Sequence, residues 1–160
     1  MSALENVIVG HHLHVRTSLF STWLRLPRER REERAAREEA ARILERLGLA
    51  ELMNREAGTL SYGDQRKVEI ARALALHPRL MLLDEPAAGM NDVETAGLGR
   101  FLMELKVGGV TLIVVEHHMD LIMGVCDHIA VLDFGRTIAE GTPAEVSAND
   151  QVLEAYLGKD

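Results

Sequence analysis

The feature that most constrains the fold is a change of period after Pro78. Leu80-Met81-Leu82-Leu83 is a continuous apolar run, bounded by Pro78 on one side and by Asp84-Glu85-Pro86 on the other. Such a run suits a strand buried on both faces of a parallel sheet. Residues 93–106 then return to helical spacing, Val110 to Val115 form a second apolar run, and residues 119–125 are helical again. Strands near 129–132 and 137–140 precede a helical stretch that reaches Leu157. This alternation predicts an α/β fold in which strands of the first kind are parallel.

The first half reads as helices. Residues 1–24 mix apolar positions with His11, His12 and His14 and end in Phe20 and Trp23, compatible with helix and short connections. The histidines make a poor metal site: His11 and His12 face different directions on a helix, and no carboxylate or cysteine stands at ligand spacing. From Arg25 to Arg46, charges of both signs alternate at three- and four-residue spacing, the mark of a solvated helix. Ala36, Ala40, Ile43, Leu44 and Leu47 form its narrow apolar stripe, and Gly48 stands where a helix end favours a left-handed residue. Residues 49–54 read as a short helix and 56–59 as a loop. A further helix runs from Tyr62 to about Leu76, with Ser61 as its N-cap and His77-Pro78 as its stop.

A chain of 160 residues, 47% hydrophobic and 27% charged, holds one folding unit with room for two lobes. Its net charge of −7 argues against the phosphate-backbone attraction on which nucleic-acid binding depends. Cys126 is the only cysteine, which excludes an intramolecular disulfide and a cysteine metal cluster, and it reads as a small apolar core residue. No stretch approaches the ~20 apolar residues that span a bilayer. The first residues lack the order of a secretory signal and run directly into an apolar, helix-like segment.

Four features fall in a fixed order at strand ends or helix starts, where phosphate chemistry is commonly placed. Leu60-Ser61-Tyr62-Gly63-Asp64-Gln65 is a polar turn opening a helix, whose backbone N–H groups and Ser61 hydroxyl favour an anion. Asp84-Glu85 ends the first strand, where one carboxylate can serve a Mg²⁺ shell through water and the next can act as general base on an attacking water. Ala88-Gly89-Met90-Asn91 is a turn just beyond, and Glu116-His117 closes the second strand with an imidazole able to hydrogen-bond a phosphoryl group.

In this order, the run from Leu60 to Glu85 resembles the signature and Walker B segments of ATP-binding-cassette (ABC) ATPases, with His117 at the switch-histidine position. Tyr62, Glu69 to Leu74, Ala87 to Asn91 and Glu116 to Asp120 are similar to the ATPase subunits of branched-chain amino-acid importers. The resemblance implies a partial P-loop NTPase (ABC ATPase) fold: a mostly parallel sheet with helices plus a small helical lobe. Residues 1–78 would be the lobe carrying the signature helix, and residues 79–160 the C-terminal α/β part. It further implies that Ser61 and Gly63 contact the γ-phosphate of ATP held by an opposing subunit, Asp84 serves Mg²⁺, Glu85 the attacking water, and His117 the γ-phosphate. Its implied partners are transmembrane permease subunits and a second ABC ATPase subunit, in a homo- or heterodimer, with no nucleic acid. The implied location is cytoplasmic, peripheral on the inner face of the cell membrane. Tyr62 departs from the usual glycine, as the importer subgroup does, and Asp64 stands where glutamine is usual, bringing charge close to the phosphate.

A P-loop requires Gly-x-x-x-x-Gly-Lys-Ser/Thr, whose amides cradle the phosphates. The sequence has no such run, since Gly158-Lys159 lacks both the first glycine and the hydroxyl. The expectation is therefore an N-terminally shortened cassette, inactive alone, with exposed apolar edge on the strand at 110–115 and a tendency to self-associate. The alternative, from a different class, is a non-catalytic half-domain that presents its signature turn to a P-loop on a partner chain. A chromosome-maintenance ATPase is disfavoured by the absence of long heptads before the signature.

Overall fold

The computed structural model describes residues 1–11 and 27–157. His12, His14, Phe20 and Trp23, and the side chain of His11, lie outside what is described. The chain divides into two compact units, Met1–Val115 and Glu116–Asp160. The expected division at residue 78 would separate helices from strands; in the structure the first two strands fall in the same unit as the helices before them.

In the first unit three helices pack on one another: α1 (Ala3–His11), α2 (Pro27–Arg46) and α3 (Tyr62–Leu74). Ser2 and Glu5 cap α1 reciprocally, with Glu5 N–H donating to Ser2 Oγ at 3.2 Å and Ser2 N–H donating to Glu5 Oε2 at 2.8 Å. The stripe Ala36, Ala40, Ile43, Leu44 and Leu47 is buried, together with Ala3, Leu4 and Val7 of α1 and Val68, Ile70 and Ala71 of α3. Residues read as a short helix and a loop are each a single 3₁₀ turn, Ala50–Leu52 and Ala57–Thr59. α3 stops at Leu74, two residues early, and His77 follows with φ 48°. A left-handed residue cannot continue the helix, and the His77 ring is held by Glu39 of α2, Nε2 to Oε1 2.7 Å.

β1 (Leu80–Asp84) pairs in parallel with β2 (Thr111–Val115), Leu82 facing Ile113 and Asp84 facing Val115. The crossover is α4 (Asp92–Val107), which packs on β2 and whose Leu98, Phe101, Leu102 and Leu105 are buried. The expectation of a strand buried on both faces is corrected here. Met81 and Leu83 are buried, but Leu80 is 47% and Leu82 71% exposed, and beside them Ile113 is 49% and Val115 59% exposed. A continuous apolar run reports that both faces are apolar; it does not report that both are covered. The exposed apolar residues of β2 form a side-chain face continuous with that of β1.

The second unit holds α5 (Met119–Val125), β3 (Ile129–Asp133), β4 (Arg136–Gly141), α6 (Pro143–Ser147) and α7 (Asp150–Leu157). β3 and β4 form an antiparallel hairpin, a separate two-stranded sheet beside which the parallel character of the fold rests on β1 and β2 alone among the described residues. Its loop is Phe134-Gly135, both with positive φ (44° and 77°), the two-residue arrangement that matches strand twist. α6 and α7 pack on β4 and bury Val146 and Val152. No described helix is long and apolar enough to cross a membrane.

Candidate nucleotide-contact site

The first unit assembles the signature turn and the acidic pair. Ser61 takes an extended conformation and accepts from Asp64 N–H, the N-cap bond that starts α3. Its hydroxyl proton is committed as well: Ser61 Oγ donates to Asp64 Oδ2 at 2.8 Å. The other oxygen of Asp64 pairs with Lys67 Nζ at 3.4 Å, both side chains being mostly buried. The charge that Asp64 brings to the turn is thus offset within one helical turn. Tyr62 follows, with its hydroxyl accepting from Arg66 Nη2 at 2.9 Å and the guanidinium 5.2 Å from the ring centroid. Glu69, bonded to Arg66 Nη1 at 2.7 Å, and then Tyr62 push the arginine pKa further up.

β1 delivers Asp84 to its carboxyl end in register with Val115, and Asp84 is exposed. Glu85 leaves the strand in the left-handed region, φ 45°, while its N–H donates to Val115 carbonyl at 2.8 Å. A non-glycine residue there costs of order 1–3 kcal/mol and persists only where surrounding contacts enforce it. The twist turns Glu85 off the line of the strand, so the two carboxylates do not alternate across the sheet as consecutive strand residues would. A shallow cleft of about 240 Å³ between α3 and the end of β1 is lined by Arg66, Glu69, Leu82, Asp84 and Pro86 among others.

The turn after the acidic pair is tied by Ala88 N–H to Glu85 carbonyl (3.1 Å) and Met90 N–H to Ala87 carbonyl (3.0 Å). Asn91 then caps α4 in a reciprocal box with Glu94. This turn packs against the signature: a Cβ placed on Gly63 would come 3.2 Å from Met90 Cγ, and one on Gly89 only 2.5 Å from Tyr62 Cδ1. Gly89 also has φ 73°, so contact and backbone both require glycine.

His117 is the second residue of the second unit, two residues past β2, with its side chain 64% exposed. Glu116 beside it has a side chain with no exposure, and its Oε2 accepts from His117 N–H (2.9 Å) and His118 N–H (3.3 Å). Those bonds shape the chain entering α5, so Glu116 acts as a support. Thus Ser61, Gly63, Asp84 and Glu85 share one unit, and His117 stands in the other. Sequence reasoning missed the contact of Tyr62 with Gly89, which no spacing encodes, and the Asn91-x-x-Glu94 box, which the spacing does encode.

Comparisons with known proteins give the family. The ABC transporter family matches residues 4–88, more than half of the chain, and the branched-chain amino acid ATP-binding cassette transporter family matches residues 136–160. The chain belongs to the ABC transporter ATP-binding family. It is 44% identical over 160 residues to the high-affinity branched-chain amino acid transport ATP-binding protein BraF of Pseudomonas aeruginosa, covering 99% of this chain and 63% of that protein. The same figures hold for the high-affinity branched-chain amino acid transport ATP-binding protein LivG of Escherichia coli K12. A solved ATP-binding cassette of an ABC transporter superposes with a TM-score of 0.76 at 34% identity, over 99% of this chain and 63% of its own. A nucleotide-free cassette gives 0.75 at 33% identity, over 99% and 64%. The chain therefore spans just under two thirds of the relatives it matches, and its α/β architecture is that of the ABC cassette.

This family uses ATP and Mg²⁺, and the residues present fit them in part. Asp84 offers one exposed carboxylate, and no group of three or more metal-ligating side chains exists among the described residues. That donor set suits Mg²⁺ shared with phosphate oxygens and water, not a cage made by protein alone. The first turn of α3 offers amides to an anion, but a phosphate cradle of the Gly-x-x-x-x-Gly-Lys-Ser/Thr kind is absent from the sequence.

Proposed function

We propose that the chain is the signature- and Walker B-bearing part of the ATP-binding subunit of an importer for branched-chain amino acids, coupling ATP hydrolysis to transport. The observation that carries this reading is 44% identity to two such proteins along practically the whole chain, with the signature turn and the acidic pair packed into one unit. In this reading Mg²⁺ bound with ATP supplies charge neutralisation at the phosphates. Asp84 would hold that ion, Glu85 would orient a water and take its proton as general base, and His117 would hydrogen-bond the terminal phosphate. Ser61 and Gly63 close on the γ-phosphate of ATP held by the opposing subunit, Ser61 turning its hydroxyl from Asp64 to do so. Permease subunits and a second ATPase subunit are the partners, and the location is the cytoplasmic face of the membrane.

The missing phosphate cradle favours a second reading as well: alone, the chain neither binds nor hydrolyses ATP, and acts by presenting its signature turn to a P-loop on another chain. Two measurements separate these. Calorimetry of the chain with Mg-ATP is expected to show no binding; clear binding would mean a phosphate site built from other residues. With a P-loop-bearing segment supplied, turnover is expected to appear, and Glu85→Gln to lower it at least about 100-fold. Turnover that survives Glu85→Gln removes Glu85 as the base. A partner whose nucleotide affinity rises on mixing, without new turnover, favours the half-domain.

A further inference from the structure

The Tyr62 side chain takes no part in capping α3, which Ser61 does. The residue is 53% exposed, at the first position of a helix, where an aromatic has no packing requirement of its own. Two groups hold it. On one side Arg66, itself braced by Glu69, bonds the hydroxyl and lies against the ring. On the other, the ring edge lies against Gly89 so closely that a single added carbon there would sit 2.5 Å from Cδ1 and 3.4 Å from Cγ and Cε1. One residue on, the missing side chain of Gly63 leaves the space that Met90 fills, and Met90 is buried. The turn so gripped begins at Glu85, to whose carbonyl Ala88 N–H is bonded, and Glu85 N–H is in turn bonded to the end of β2.

From this we infer that Tyr62 is a positioning residue: its ring, clamped between Arg66 and Gly89, locks the turn at residues 86–91 to the first turn of α3, so that the signature and the acidic pair keep one fixed relation. The consequence for catalysis rests on the proposed function: a shift of the signature turn on meeting the opposing phosphate is carried through the turn to Glu85, which a glycine at position 62 could not do.

The lock itself is testable on the chain without nucleotide, so it stands or falls apart from the ATPase reading. The reporters are the amides of Ala88 and Met90, followed by hydrogen exchange at residue resolution, with the α2 amides around Ile43 and Leu44, buried in the same unit, as an internal control for folding. Tyr62→Gly is expected to speed exchange at Ala88 and Met90 by about tenfold or more, a local opening that leaves the α2 amides unchanged. Tyr62→Phe keeps the ring and is expected to restore exchange to within about threefold of the parent. Gly89→Ala is expected to open the same amides by more in the parent than in Tyr62→Leu, since φ 73° strains an alanine in either background while the ring clash exists only in the first. Faster exchange confined to the α3 amides at residues 64–66, with Ala88 and Met90 unmoved in Tyr62→Gly, overturns the inference. So does failure of Tyr62→Phe to rescue, which would assign the effect to the hydroxyl. If Tyr62→Gly unfolds the chain, as the control amides would show, Tyr62→Leu takes its place with the same expectation at Ala88 and Met90.

Discussion

The two strand pairs of this chain solve the same problem in opposite ways. β3 and β4 are joined by two residues, Phe134 and Gly135, and are covered by helices that follow immediately, with Val146 and Val152 buried. β1 and β2 are joined through the whole of α4 and leave Leu80, Leu82, Ile113 and Val115 exposed on one face. The hairpin is made by local sequence and carries no candidate catalytic group. The parallel pair depends on distant packing, and it is the one that ends in Asp84 and Glu85. Parallel pairing gathers strand ends at one edge with the chain leaving toward helices, which is where a ligand can be met by several elements at once; a hairpin end offers only its own turn.

That contrast can be broken most forcefully in the crossover. Leu102, fully buried on α4, is expected to cost about 2–5 kcal/mol as Leu102→Ala, with loss of amide protection concentrated in β1 and β2. Urea unfolding gives the magnitude and hydrogen exchange the location; protection lost equally in β3 and β4 would erase the distinction. The matching change in the hairpin unit, Val146→Ala, is expected to cost about 2 kcal/mol and to expose β3 and β4 amides first. Glu85→Gly should do the opposite of both. It removes the cost of a left-handed glutamate, so stability in urea is expected to rise by about 1 kcal/mol while any turnover is lost; a fall would show that the side chain's contacts and the entropy of glycine outweigh that cost.

Leu82→Lys sharpens the comparison at smaller cost. A side chain 71% exposed is expected to change unfolding free energy by less than about 0.5 kcal/mol. The same change is expected to reduce self-association, read by light scattering; a parent chain that is already a monodisperse monomer contradicts that role for the face. The smallest effect is one the two units share. Bonds from Thr142 N–H and then its hydroxyl hold the Glu145 carboxyl below the ordinary value of 4.5, and bonds from Ser2 N–H and then its hydroxyl do the same for Glu5. A depressed folded value means that these caps stabilise above the unfolded pKa and are lost as pH falls through the folded one. Titration followed by NMR is expected to place both carboxyls below 4.5, and either at its ordinary value would remove that cap.

Much of this was legible in sequence because it is periodic or punctuated. The helix at 119–125 appears at its expected bounds, the other strands and helices of the second half lie within a few residues of theirs, and the stripe from Ala36 to Leu47 is buried as its spacing requires. The order of signature, acidic pair and histidine sufficed for the family. What was not legible depends on what lies opposite. Leu82 and Leu83 are the same residue type one position apart, yet one is exposed and the other buried, because only one face has a partner. The ring of Tyr62 meets Gly89 twenty-seven positions away, a relation that no local pattern records. The bracing role of Glu116 was likewise not legible, since its partners are backbone amides that carry no letter in the sequence.

The three reciprocal caps, at Ser2 and Glu5, Asn91 and Glu94, and Thr142 and Glu145, have a kinetic consequence. Each links residues only three apart, so each helix start can form as soon as its own few residues exist, without waiting for the rest of the chain. Helix starts and the hairpin would then be early and rapidly reversible events, on the microsecond scale of such local structures. The slow step falls to the parallel pair, because Leu80 and Thr111 must close a loop through an entire helix before their pairing returns anything. Until that closure the apolar run from Leu80 to Leu83 has no partner on either face, and a nascent chain is most exposed to misassembly during that interval.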